Sequence, residues 1–248
     1  MNPHRILWAW TLVLVPLSAL GSPVTYNMTN GTRSASAEFA RSGANLIVTL
    51  TNTSTADATV PTDILTGVFF EIAGNPLLAR TSAIIPLGSA VLVGGTGVDV
   101  TPVDRVVGGE WAYLNNLSQV PLANSGISSS GLGIFGPHDR FPGPNLQGPA
   151  SPAGVQFGIT SALDNLLTGN GGLSGEYLIK SSVVFTLAGY SGEPDADISH
   201  VLFQYGTALD EPRLTGHTPE PSSLVMLAFG IGGLAAFRYR RRKAGSRA

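Results

Sequence analysis

The middle of the chain is a succession of short segments rich in Val, Ile, Phe, Tyr and Thr, each closed by a cluster of Gly, Pro, Asn, Asp or Ser. Such clusters supply turns, and segments this short suit strands rather than packed helices. Asn45 to Asn52 shows the pattern well, with Leu46, Val48 and Leu50 on one face and Ile47, Thr49 and Thr51 on the other. Glu38-Phe39-Ala40 is its expected hairpin partner, joined through Arg41-Ser42-Gly43-Ala44. Further strands are expected at Leu65–Ile72, Ser82–Val93, Glu110–Leu114, Leu132–Phe135, Val155–Thr160, Tyr177–Ala188 and His200–Tyr205. Helical spacing occurs at Thr160–Leu167, where Ala162, Leu163, Leu166 and Leu167 recur at a 3.6-residue period before a Gly-Asn-Gly-Gly stop. Residues 119–154 hold Pro137, Pro142, Pro144, Pro149 and Pro152, which cannot ladder continuously and read as a long surface loop. No internal repeat is present, which argues against a solenoid or propeller. The expectation is an all-β chain, a single antiparallel β-sandwich with a long Gly/Pro-rich loop over residues 22–217.

Both ends differ in kind from this middle. Arg5 precedes the apolar stretch Ile6–Leu17, and Ala19-Leu20-Gly21 places small residues where a signal peptidase reads, so residues 1–21 form a signal peptide for Sec export. An uncleaved N-terminal anchor is the alternative. At the other end Pro219-Glu220-Pro221 precedes an uncharged run from Ser222 to Phe237 that includes Leu224, Val225, Gly230, Gly232 and Gly233. As a transmembrane helix this run is roughly 24 Å long, a little short of the ~30 Å hydrocarbon core. The cluster Arg238, Arg240, Arg241, Arg242 and Lys243 follows, which by the positive-inside rule holds the C-terminus, including the short tail 244–248, in the cytoplasm. The two prolines keep Glu220 in an extended, accessible stretch at the membrane edge. A plain single-pass anchor that is never cut fits the same physical features.

The order Pro-Glu-Pro, short glycine-containing helix, terminal basic cluster over residues 218–243 resembles the PEP-CTERM sorting signal. That resemblance implies export by a Gram-negative bacterium, an inner-membrane intermediate, processing by an exosortase near Pro219, Glu220 and Pro221, and delivery to the cell surface or extracellular matrix, often with exopolysaccharide as a partner. Two internal patches, Gly109-Glu110-Trp111-Ala112-Tyr113 and Val201–Thr207 followed by Glu211-Pro212, are similar to segments of exosortase-dependent surface proteins. They add consistency and no activity.

With the ends set aside, the middle carries seven basic residues against fifteen acidic ones, a formal net charge of −8, whereas the whole chain is near neutral at −2. An acidic domain without clustered Lys or Arg does not suit nucleic acid, whose binding needs phosphate neutralisation. The chain has no Cys, which removes disulfides, redox dithiols and thiolate metal sites together. Just under two hundred residues can bury one substantial core unaided.

Motifs that carry chemistry are few. There is no Gly-x-Ser-x-Gly elbow, and Gly94-Gly95-Thr96-Gly97 lacks the Gly-Lys-Ser/Thr continuation of a phosphate loop and reads as a turn. His138, His200 and His217 lack metal-ligand spacing. Glu193, Asp195 and Asp197 sit at alternate positions of one turn and are the candidate Ca²⁺ site, against a plain solvated acidic turn. No catalytic residue and no other cofactor are assigned. The function expected is therefore a non-catalytic structural or adhesive surface protein. The alternative is a secreted carbohydrate-binding module, floored by Trp111, Tyr113, Phe135 and Phe141, or a glycosidase using a carboxylate pair such as Glu110 and Asp139.

Overall fold

The computed structural model describes residues 22–136, 145–147 and 154–215. The signal peptide, the sorting signal, the transmembrane run and the basic cluster lie outside these residues. Among the described residues no helix is long and apolar enough to cross a membrane.

The chain opens with three consecutive antiparallel strands, β1 (Val24–Asn30), β2 (Arg33–Ser42) and β3 (Asn45–Asn52). Gly31 (φ 62°) and Gly43 (φ 61°) each take the first position of a two-residue turn, the left-handed conformation that glycine alone adopts without strain. There follow β4 (Leu65–Ile72), β5 (Ala79–Ile84), β6 (Ala90–Val93), β7 (Ala112–Asn115) and β8 (Ser125–Ser128). The last five are β9 (Ile159–Thr160), β10 (Tyr177–Lys180), β11 (Ser182–Ala188), β12 (Ile198–Tyr205) and β13 (Arg213–Thr215). They form two sheets, one in the order β1-β2-β3-β11-β5 and one in the order β13-β12-β4-β9-β10-β6, with β8 pairing β4 and β7 pairing β8. All pairings are antiparallel except β9 with β10, so the sandwich is not wholly antiparallel as expected.

The main core lies between the sheets. Phe39, Val48, Leu50 and Phe185 from the first meet Val68, Phe70 and Phe203 from the second, with Phe39 and Phe70 ring centroids 5.0 Å apart in an edge-on arrangement. Trp111 is fully buried and packs edge-on against Phe185 at 4.9 Å. A fully buried aromatic contributes roughly 3–5 kcal/mol against truncation to alanine.

The expected strands at Asn45–Asn52, Leu65–Ile72 and His200–Tyr205 are present, as are the hairpin at Arg41–Ala44 and the turn at Gly94–Thr96. Others require correction. Tyr177–Ala188 is two strands, because Ser181 (φ 90°) turns the chain from the second sheet into the first. Ser82–Val93 is likewise divided between the sheets, interrupted at Pro86-Leu87-Gly88. Leu132–Phe135 is a turn, in which the Ile134 and Phe135 amides donate to the Gly131 carbonyl. Only Ile159 and Thr160 of the segment 155–160 ladder.

The helix expected at Thr160–Leu167 is absent and the segment runs as turns. The reason is Asp164, whose buried carboxylate accepts from the Ala58 amide at 2.8 Å and from the Thr160 hydroxyl. Short polar side chains of this kind offer the backbone a local alternative to the helix.

The segment 119–136 is also more than a surface loop. β4 is buried on both faces, and its outward Phe69 needs cover. Val120, Ala123, Leu132 and Phe135 provide it as a second apolar cluster, with β8 laddered against β4. Gly126 lies opposite Phe69, where an added Cβ would approach the ring to 2.6 Å.

Candidate functional site

Four places were singled out for chemistry, and the structure treats each differently. Glu193, Asp195 and Asp197 fall on the one-turn helix α1 (Pro194–Asp197) and its preceding residue. Glu193 pairs with Arg41 at 2.9 Å. Asp197 Oδ2 accepts from the Tyr190 hydroxyl at 3.0 Å and from the Glu193 amide at 3.1 Å. Burial, together with this carboxylate, pushes the Tyr190 phenol well above its ordinary range. The helical turn leaves Glu193 and Asp197 with different partners, and no group of three His, Asp or Glu side chains able to hold a metal exists among the described residues. The candidate calcium site is therefore not assembled.

The aromatic platform is not there either. Trp111 and Tyr113 are 0% and 2% exposed and Phe135 is 4% exposed, so none offers a face to a sugar ring. Phe141, His138, His217 and Asp139 lie outside the described residues. An alternating aromatic pattern marks an inward strand face as readily as a binding face, and here packing claims it.

Glu110 is the one candidate catalytic acid that the structure describes. It immediately precedes Trp111, is partly buried, and its Oε2 is enclosed without a hydrogen-bond partner. Burial pushes its carboxyl up to about 7. The enclosed group consequently holds its proton near neutral pH.

His200 heads the expected strand but sits at an irregularity in β12, with φ at 49°. Its Nδ1 lies 2.7 Å from Glu71 Oε2, and Ser199 Oγ donates to the same oxygen at 2.9 Å. These two hydrogen bonds, His200 first, hold the Glu71 carboxyl below its ordinary range. The pair is exposed, so its energetic contribution is small.

Two features were not read from the sequence. One is a polar cluster at the end of the sandwich. Arg33 pairs with Asp63 at 2.8 Å and donates to the Thr62 carbonyl at 2.9 Å, 6.0 Å from the centre of the Tyr205 ring. Burial raises the Tyr205 phenol to about 12 while its hydroxyl donates to the Ser34 carbonyl. The cavity beside it is of only about 10 Å³, room for a water molecule and nothing larger. The cluster ties the β1–β2 turn region to β12 and is structural.

The other feature is an open groove of about 340 Å³ between the outer edges of β1 and β13, lined by Asn27, Met28, Thr29, Asn30, Arg213, Leu214 and Thr215. β13 was too short to stand out in the sequence. Thr215 is also the last described residue before the sorting signal.

Comparison with curated proteins and with solved structures finds no match for the chain. Against family models, residues 217–243 match the PEP-CTERM protein-sorting motif. The segment recognised by its Pro-Glu-Pro, apolar run and basic cluster thus matches a protein-sorting motif, one that implies export and exosortase targeting.

Proposed function

We propose that this chain is a non-catalytic surface or matrix protein, whose β-sandwich domain is exported through Sec, held in the inner membrane by its tail, and released to a structural or adhesive role after exosortase processing at Pro219, Glu220 and Pro221. The sorting motif at residues 217–243 carries this reading. The domain supports it: Glu193 and Asp197 are engaged by neighbouring side chains, and Trp111, Tyr113 and Phe135 are used for packing. Exopolysaccharide is the proposed companion, since a neutral polymer meets no charge barrier at a domain of net −8.

The test is the intact mass of the tagged product from hosts with and without the exosortase. A released species ending between Thr218 and Ser222, formed only when the enzyme is present, is the expected result. An uncut, membrane-retained chain in both hosts makes the tail a plain anchor and removes the reading.

A second reading, a glycosidase, has one observation in its favour, the enclosed Glu110 carboxyl that stays protonated near neutral pH as a general acid must. It requires hydrolysis of aryl glycosides that disappears in Glu110→Gln and in Asp139→Asn.

A further inference from the structure

We propose that the free edge of β1 pairs with the β1 edge of a second copy of this chain, antiparallel and centred on Asn27, joining two sandwiches through one continuous sheet.

A sheet edge left unpaired is a template for another strand, and proteins that remain monomeric blunt their edges. Four of the five edges among the described residues are blunted, that of β7 by residues 145–147, whose Leu146 amide donates to the Trp111 carbonyl at 2.8 Å. β5 is bulged against β11 and covered by the segment after it, with the Val107 amide donating to the Ala83 carbonyl at 2.9 Å. β6 is covered in the same way, as the Val100 amide donates to the Val91 carbonyl and the Val93 amide to the Val98 carbonyl. β13 is only three residues long and follows Pro212. β1 has none of these devices. It is seven residues long, contains no charge and no proline, and runs without a bulge from Val24 to Asn30.

The ladder identifies which groups are free. Across the two-residue turn at Gly31, Asn30 and Arg33 close the hairpin, so Asn30, Met28, Tyr26 and Val24 are the residues that bond to β2. Ser34 confirms this phase, because its carbonyl accepts from the Thr53 amide on the opposite side. The backbone groups of Thr25, Asn27 and Thr29 therefore point away from β2, and the groove of about 340 Å³ leaves room beside them.

A second β1 is the occupant that this edge fits. In an antiparallel self-pair Asn27 faces Asn27, and Thr25 faces Thr29 of the other copy on both sides, so every outward group is met and no like charges are opposed. Among the described residues no strand pairs with this edge, which β13 only flanks across the groove. On the processing reading, on which the proposal rests, only Ser22 and Pro23 precede β1.

The absence of native Cys gives a clean test in the full-length chain expressed with its exosortase. Directly opposed residues in such a pair lie about 5.5 Å apart between Cα atoms, within disulfide range. Thr25 and its own counterpart would be roughly 14 Å apart, beyond that range. On oxidation, Asn27→Cys is expected to form a disulfide-linked dimer at least fivefold more than Thr25→Cys or Thr29→Cys alone. Co-expressed Thr25→Cys and Thr29→Cys chains are expected to cross-link to each other. Asn27→Lys, which opposes two charges, is expected to shift the sedimentation mass to that of a monomer while leaving the β-type circular dichroism unchanged. Monomeric Asn27→Cys after oxidation, or equal cross-linking at all three positions, overturns the proposal. Released and detergent-extracted fractions are both assayed, and intact mass reports processing independently of cross-linking, so failure of either reading is seen separately.

Discussion

At residue scale, Glu110 makes the stability of the domain depend on pH between the ordinary carboxylate range and neutrality. Its carboxyl is raised to about 7 by burial, above the ordinary 4.5. The folded state therefore binds the proton more tightly than the unfolded chain, so stability is greatest below pH 4.5 with respect to this group. It falls as pH rises from there towards 7 and is flat beyond. Allowing for partial solvent access, the loss is on the order of 1–2 kcal/mol. Glu110→Gln, which stays neutral, is expected to match the parent at pH 5 and exceed it at pH 8, read as melting temperature at the two pH values. Equal destabilisation at both would assign the enclosed carboxyl a packing role alone.

At element scale, Asp164 decides the course of residues 160–168. It holds the 57–60 loop through the Ala58 amide, and its backbone carbonyl accepts from Lys180 Nζ at 2.8 Å. Asp164→Ala leaves the buried Ala58 amide and Thr160 hydroxyl without the carboxylate and is expected to cost about 1–3 kcal/mol in denaturant unfolding. Asp164→Asn, which retains one acceptor oxygen, should lose less. The same residue explains why a 3.6-residue period misled: periodicity records which side chains are apolar, not whether a carboxylate outcompetes the helix for nearby amides. Strands whose two faces differ, such as β3, were legible because alternation carries the signal. β8 was not, because its Ser-Gly-Ile-Ser sequence carries a single apolar side chain, Ile127, and becomes a strand through its ladder with β4. The division between β10 and β11 escaped too, since Ser181 does not advertise a left-handed backbone as glycine would. The sorting motif was legible because it is specified by composition and order within thirty residues. The β1 edge required the sheet order to be seen.

At the scale of the whole molecule, cohesion among the described residues comes from three buried apolar clusters. Glu193 and Asp197 are turned to separate partners, so titration with Ca²⁺ or addition of a chelator is expected to leave the melting temperature of the domain within 1 °C, a bound of about 0.3 kcal/mol. A calcium-dependent rise of several degrees would mean that the turn reorganises around the ion.

β13 ends at Thr215, four residues before Pro219 and seven before Ser222. Fully extended, those links reach at most about 14 and 25 Å. A folded domain of this size is about 40 Å across. In the proposed inner-membrane intermediate the leash is thus shorter than the body it restrains, so a bulky soluble protease approaching from the aqueous side would meet the cargo first, whereas an enzyme resident in the bilayer would reach the Pro-Glu-Pro stretch from below.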